Sequence, residues 1–321
     1  MCLMLKTISD IGIVPVIKIN DVSKAVPLAK ALIDGGLPIA EITFRTDAAE
    51  ASIKAVSEAF PDMLVGAGTV LTIEQAERAK NAGAKFIVSP GFNPKVVSWC
   101  LENDLLPTPG CTSPTEIEQA LELGLKAVKF FPAEQSGGID KIKALSAPYG
   151  NLKFIPTGGI GLDNLTKYIT NKKILACGGS FMVKEDYINN NEWDKITELT
   201  KQAVTVMLGL EIGHIGINMP DEASAQDVTN EFAKIFGGIP VKNGNSSLFA
   251  GTLIEVMKSK GRGTHGHIAV KANSVDRALY HLSKQGVKFD MSTATYNDDG
   301  TMKVIFADGE FGGFAVHLLQ K

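Results

Sequence analysis

The sequence predicts a (β/α)₈ TIM barrel followed by a smaller α+β domain of duplicated βαβββ units. Three observations predict this. Up to about Leu208, short apolar runs alternate with longer amphipathic stretches, the rhythm of parallel strands joined by helices. Eight such runs occur, and eight repeats in about 200 residues suit a closed barrel near the short end of its size range. From Glu211 onward the rhythm becomes strand, helix, strands, and then repeats once.

The eight runs are, in order, IVPVIKI, IAEITF, MLVGAGTV, KFIVSP, LLPTPG, AVKFFP, KFIPTGG and ILACGGS. Helical stretches such as VSKAVPLAKALIDGG, TIEQAERAKNAG and SPTEIEQALELG lie between them. Gly35, Gly83 and Gly124 read as C′ glycines that end helices in a left-handed turn. Ser113 and Glu116 form a capping box with Pro114 at the first helical position. A doubly wound open sheet is the alternative. It would show fewer strands and a dinucleotide fingerprint after the first one, whereas KINDVSKA carries no GxGxxG.

In AEITFRT the period of two puts Glu41, Thr43 and Arg45 on one face and Ile42 and Phe44 on the other. The apolar pair faces the helices, so Glu41 and Arg45 point into the barrel or its mouth. By the same rule Val128 and Phe130 face outward, and Lys129 and Phe131 inward. Burial disfavours the ammonium form of a lysine, and the neutral amine is the nucleophile that attacks a ketone to form a Schiff base. From position alone, a Lys129–Glu41 ion pair that merely fills the barrel fits equally. Lys18 is a rival inward lysine, with Asn20 and Asp21 marking a wetter place suited to an anion contact. PTGGIG and CGGS follow the seventh and eighth runs, where this fold binds phosphate through backbone N–H groups.

EITFRT, GAGTV, SPG, PTPGC, KFFPAE, PTGGI and GGS together resemble the 2-keto-3-deoxy-6-phosphogluconate and 4-hydroxy-2-oxoglutarate aldolase family, over about Ile11 to Val183. The resemblance implies a class I aldolase, working without a metal and assembled as a homotrimer. It places the Schiff-base lysine at Lys129, the acid/base at Glu41 and the carboxylate-binding arginine at Arg45. Thr69 and Thr157 match substrate contacts, Pro90 and Phe131 match pocket walls, and Gly158, Gly159 and Ser180 match the phosphate turns. Thr157 favours the gluconate over the galactonate branch.

In the second part, His214 and His267 are read as opening the two first strands. Glu255 and His317 fall at equivalent places in the two last strands. This pattern resembles the vicinal-oxygen-chelate, or glyoxalase-like, superfamily over about Glu211 to Gln320. The resemblance implies a metal site at His214, Glu255, His267 and His317, a donor set that suits Zn²⁺, Ni²⁺, Fe²⁺ or Mn²⁺. Members that keep the fold without metal leave a hydrogen-bonded cluster as the alternative. His265, in a Gly-rich turn, and His281, on a helix face, are weaker ligand candidates.

The totals bound the rest. The chain has 321 residues, which suits two domains, 1–208 and 209–321, with the switch between Leu208 and Gly213. A net charge of −3 argues against a broad nucleic-acid or anionic-membrane surface, while small anionic substrates remain open. The start, MCLMLKTISDIG, lacks a basic region followed by a long apolar one, and no apolar run reaches membrane-spanning length. Cys2, Cys100, Cys111 and Cys177 are scattered and read as free thiols, with Cys111 and Cys177 as small packing residues. A cytoplasmic enzyme is therefore expected, acting on a keto acid or phosphorylated sugar acid. For the second domain the sequence leaves open a metal-dependent lyase, isomerase or dioxygenase, or a non-catalytic binding or oligomerisation module.

Overall fold

The computed structural model describes residues 3–321, so Cys2 lies outside the described residues. The chain divides into two compact units, the first ending at Met207 and the second running Leu208–Lys321.

The first unit opens with α1 (Leu3–Ile11) and β1 (Ile13–Ile17), followed by a 3₁₀ turn at Val22–Lys24. Seven strand–helix steps complete the ring: α2 (Ala25–Asp34), β2 (Ile39–Thr43), α3 (Ala49–Ala59), β3 (Leu64–Gly68), α4 (Ile73–Asn81), β4 (Phe86–Ser89), α5 (Pro94–Glu102), β5 (Leu106–Pro109), α6 (Pro114–Glu122), β6 (Ala127–Phe130), α7 (Gly138–Ser146), β7 (Lys153–Pro156), α8 (Leu162–Ile169) and β8 (Cys177–Gly179). The short α9 (Glu185–Asn189) and the long α10 (Trp193–Leu208) follow. A six-stranded sheet runs β5-β4-β3-β2-β1-β8, and β6 pairs with β7. Parallel bridges Gly110↔Lys129 and Thr157↔Gly178 join the two pieces, so the ring closes in chain order.

The strands are covered on both faces, as all-parallel sheets must be. Val128 and Phe130, assigned outward, are fully buried beneath the helices. The sequence reading assigned no element before the first strand. α1 buries Leu5, Ile8 and Ile11, and Ile8 reaches the cavity that also holds Lys129. The capping box at Ser113 and Glu116 forms as expected, and Gly83 and Gly124 take positive φ. Gly35 does not. It is the C-cap of α2 with φ −82°, and Gly36 supplies the left-handed turn at φ 95°. Gly35 is required for space instead, since a Cβ there would sit 2.4 Å from Thr200 Cβ.

The second unit contains β9 (Glu211–Asn218), α11 (Glu222–Ile235), β10 (Val241–Asn243), β11 (Ser247–Ala250) and β12 (Ile254–Met257). The order then recurs in β13 (Gly266–Ala272), α12 (Val275–Lys284), β14 (Phe289–Tyr296), β15 (Met302–Ala307) and β16 (Phe314–Gln320). These are two βαβββ units in one eight-stranded sheet, order β10-β11-β12-β9-β13-β16-β15-β14. Each unit pairs its first strand in parallel with its last, and the two first strands meet antiparallel at the centre. Leu248, Val256 and Ala225 form the core of the first half, with Phe232 and Val228 packed on it.

Candidate active site and second-unit histidine cluster

Lys129 lies on β6 and Glu41 on β2, and the inward orientation expected of both is what the barrel shows. They are 6% and 3% exposed. Their side chains meet at 3.5 Å, Nζ to Oε1. The pocket that they share is otherwise lined by apolar groups and by Thr108 and Thr157. The nucleophile and the ion pair weighed from sequence are thus one geometry: a buried amine beside a buried carboxylate.

Several glycines exist to make this room. A Cβ at Gly68 would lie 2.1 Å from Glu41 Oε1, so only glycine lets the carboxylate cross β3. One at Gly178 would lie 2.3 Å from Thr157 Oγ1, which places that hydroxyl over β8. One at Gly110 would lie 2.0 Å from the Pro90 carbonyl, fixing how closely the 90 and 110 loops approach. Thr69, just beyond Gly68, has φ 56°, an outlier for a β-branched residue. Strain of this kind gathers at ligand-handling positions and persists only where neighbours hold it. Here Val70 N–H donates to the Val88 carbonyl, and Ser89 Oγ donates to the Val70 carbonyl.

The rim carries the remaining residues. Phe131 is 38% exposed, with Lys129 Nζ 5.2 Å from its ring centroid. Arg45 is exposed, and its Nε donates to Thr43 Oγ1 at 3.1 Å. Gly158 and Gly159 adopt φ 98° and 78°, forming the turn expected after the seventh strand. Asn164, which sequence reasoning missed, holds that turn. Its Nδ2 donates to the Gly159 carbonyl at 2.9 Å, and its Oδ1 accepts from Gly161 N–H at 2.9 Å. Tyr168 donates to Glu134, whose side chain underlies Gly159. Ser180 stands exposed after β8.

Lys18 proves to be the wetter lysine. It is half-buried, does not line the pocket of Glu41 and Lys129, and pairs with Glu185 at 2.9 Å. The Lys18 ammonium holds the Glu185 carboxyl below the usual carboxylate range. Cys111 and Cys177 are buried thiols outside any disulfide, and burial pushes Cys111 up to about 12, so it packs rather than reacts.

In the second unit His214 sits in the middle of β9 rather than at its start, while His267 is second in β13. The register still makes them equivalent. His214 lies across from Ala269 and His267 from Gly216, while Glu255 pairs with Gly216 and His317 with Ala269. Each half thus contributes one residue from its first strand and one from its last. A Cβ at Gly216 would lie 2.1 Å from the His267 ring, so glycine clears that space. The ligand atoms of the three histidines lie within 4.8 Å of one another. Glu255 Oε2 reaches His214 Nε2 at 3.1 Å and His267 Nε2 at 3.0 Å, and Ser247 Oγ donates to Oε1 at 2.6 Å.

Burial opposes ionisation of Glu255, but hydrogen bonds from His214, His267 and Ser247 outweigh it and hold the carboxyl far below its usual range. Burial, reinforced by the neighbouring imidazoles, pushes His317 down to about 4, although its Nδ1–H donates to the Leu318 carbonyl at 3.3 Å. Phe306 and Phe249 wall the cluster, with ring centroids 4.8 Å from His317 and 5.7 Å from His214. His265 packs instead on Phe314, and His281 is buried on α12; neither joins the cluster.

A closed parallel barrel with a buried amine beside a buried carboxylate at its centre has the parts that Schiff-base carbon–carbon lyases use. A family model described as KDPG and KHG aldolase matches residues 5–199. The chain is 46% identical over 207 residues to the 2-dehydro-3-deoxy-phosphogluconate aldolase of Treponema pallidum, covering 64% of this chain and 99% of that one. It is 38% identical over 192 residues to the KHG/KDPG aldolase of Escherichia coli (strain K12), covering 60% and 90%. Among solved structures, the KDPG aldolase of Legionella pneumophila was captured with pyruvate as a covalent carbinolamine. It is 36% identical with a TM-score of 0.60, covering 62% of this chain and 97% of that one. The 2-keto-3-deoxy-6-phosphogluconate aldolase of Zymomonas mobilis with 3-phosphoglycerate is 35% identical with a TM-score of 0.58, covering 62% and 94%. The chain belongs to the KDPG and KHG aldolase family, and it is a lyase. Among the described residues no helix is long and apolar enough to cross a membrane.

Proposed function

We propose that the first unit cleaves 2-keto-3-deoxy-6-phosphogluconate to pyruvate and glyceraldehyde 3-phosphate, and 4-hydroxy-2-oxoglutarate to pyruvate and glyoxylate. The observation that carries this is the buried Lys129 Nζ 3.5 Å from Glu41 Oε1. The names of the relatives support the choice of substrates.

Lys129 adds to C2 of the keto acid and water leaves, giving an iminium that withdraws electrons from C3. Glu41, directly or through water, takes the C4 hydroxyl proton as the C3–C4 bond breaks. The aldehyde departs, C3 of the enamine regains a proton, and water releases pyruvate from Lys129. No metal is needed, because the iminium is the electron sink. Arg45 binds the C1 carboxylate through its planar fork, which a lysine would reproduce poorly. Thr69, Pro90, Phe131 and Thr157 shape the substrate channel. Gly158, Gly159 and Ser180 take the phosphate, and consecutive positive-φ glycines support this by forming a tight turn at the head of α8. Family resemblance supports a homotrimer. Buried thiols outside any disulfide at Cys100, Cys111 and Cys177 support a reducing, cytoplasmic setting.

The test is cleavage of both substrates, followed through pyruvate release, by the full chain and by Ser180→Asp. A negative charge at the phosphate turn should raise KM for the phosphorylated substrate about tenfold or more and spare hydroxyoxoglutarate. Equal effects on both would contradict the phosphate assignment.

A second reading concerns residues 209–321, proposed as a glyoxalase-like domain on the evidence of its duplicated βαβββ units. His214, His267, His317 and Glu255 would hold a divalent metal. The donor set fits: His317 gives its Nδ1–H to a carbonyl, leaving Nε2 to ligate, and Ser247 orients Glu255. Such an ion would supply Lewis-acid chemistry to a small oxygen ligand and make the protein bifunctional. Titration calorimetry with Zn²⁺, Ni²⁺ and Mn²⁺ tests it. One site per chain, lost in His267→Ala, is the expected result. No binding would leave a non-catalytic binding or oligomerisation module.

A further inference from the structure

Thr43 is a buried polar side chain that the proposed reaction does not use. It ends β2, two residues past Glu41 on the same face, and is 1% exposed. Its hydroxyl has both of its natural partners. Oγ1 donates to the Ile17 carbonyl at 2.7 Å and accepts from Arg45 Nε at 3.1 Å. The first bond ties β2 to β1, where Ile17 already pairs with Ile42. Three residues on, Thr46 Oγ1 donates to the Ile19 carbonyl at 2.5 Å. The segment that carries Arg45 is therefore fastened to the chain leaving β1 on both sides of the arginine.

The consequence falls on the guanidinium. An arginine offers a carboxylate two bidentate edges, one using Nε and one Nη, the other using both Nη atoms. Thr43 occupies the Nε proton and sets the roll of the plane about the side-chain axis. We propose that Thr43 is a positioning residue for substrate recognition: it denies the Nε edge and presents the outer Nη1/Nη2 edge of Arg45 to the keto-acid carboxylate. This deepens the reading of Arg45 as the carboxylate-binding residue and rests on it. The hydroxyl is suited to the task because it is buried, so water does not compete for its lone pair, and because its own proton is committed to Ile17. A β-branched residue also fixes χ1 in a strand, which keeps the acceptor in place.

The test measures pyruvate affinity, as the pyruvate concentration giving half-maximal borohydride trapping of the full-length protein. Thr43→Val keeps the shape and removes the acceptor; Thr43→Ser keeps the acceptor. The expected result is a rise of about tenfold in Thr43→Val, the effect of losing one hydrogen bond to a charged group, with Thr43→Ser within about twofold of the parent. The limiting trapping rate at saturating pyruvate should stay within about twofold in both, since neither touches Lys129. A double-mutant cycle separates positioning from simple support of the strand. In an Arg45→Met background, Thr43→Val should cause no further loss of affinity. The same loss in both backgrounds would overturn the proposal, and so would an unchanged Thr43→Val beside a weakened Arg45→Met. If Arg45→Met binds pyruvate as the parent does, the carboxylate reading of Arg45 itself fails and this inference falls with it. Should Thr43→Val not fold, Thr43→Ala enters the same cycle with the same criteria.

Discussion

The two units build their centres from opposite materials. In the barrel, one buried amine faces one buried carboxylate, 3.5 Å apart. In the second unit, three imidazoles crowd a single carboxylate, and two of them share Glu255 Oε2 at 3.0–3.1 Å. The barrel centre is already complete as a reagent, because its nucleophile belongs to the chain. In the histidine cluster His317 sends its Nδ1–H out to the Leu318 carbonyl, while His214 and His267 turn Nε2 toward Glu255 Oε2. On the proposed reading, one centre supplies its own chemistry and the other would hold a divalent ion that supplies it. The architecture follows suit. A barrel gathers residues from eight separate strands onto one axis, whereas the duplicated sheet brings equivalent positions together by pseudo-two-fold pairing.

The sharpest way to break this comparison is at Lys129. Lys129→Met should lower cleavage of both substrates by a thousandfold or more, since no other described lysine occupies that cavity. Cleavage supported by Lys18 would erase the distinction drawn between the two lysines. Glu41→Gln should keep pyruvate binding yet lower kcat by roughly a hundred- to ten-thousandfold, the usual range for a lost acid/base. Near-parental turnover would reduce Glu41 to a charge partner.

The second unit gives two smaller effects. Metal should raise its melting temperature, because a ligand bound only by the folded state stabilises it, by about 2.7 kcal/mol at a hundredfold excess over Kd. His317→Phe should abolish that rise. Without added metal, acid should weaken this unit before the barrel. The folded His317 sits at about 4 against 6.5 unfolded, so between these values only the unfolded chain takes up its proton. Stability should therefore fall as pH falls through that window. Glu255 adds to the loss at lower pH, since its depressed folded value contributes stability that is lost as pH falls below 4.5. Melting curves at pH 7, 6 and 5 check this; a transition that does not move would show that the histidines are not coupled to folding.

Much of the barrel site was legible because a strand's period of two is strict. Lys129 among apolar residues, and Glu41 with Arg45 beyond it, could be oriented from their neighbours alone. The two-fold equivalence of His214 with His267 and of Glu255 with His317 was legible from the repeat. Most of what escaped notice depends on contacts between distant segments or on exposed edges. Glu185 acts on Lys18, which only the fold brings near. Asn164 is a local cap of α8 that closes on Gly159 and Gly161, and the sequence reading passed over it because it looked only at the glycines of that turn. Thr69 reveals its strain only in its φ. β10 is exposed at all three positions and β14 is half-exposed on both faces, so neither displays an apolar alternation to read. Gly35 and Gly36 both fit a helix end by type, and only the packing of Thr200 tells which serves the turn.

The central claim is that Lys129 forms the Schiff base. Borohydride added to the protein with pyruvate, followed by peptide mapping, tests it directly. The account predicts a single reduced pyruvate adduct on the peptide containing Lys129, absent in Lys129→Met. An adduct on Lys18, or none on the folded protein, would contradict it.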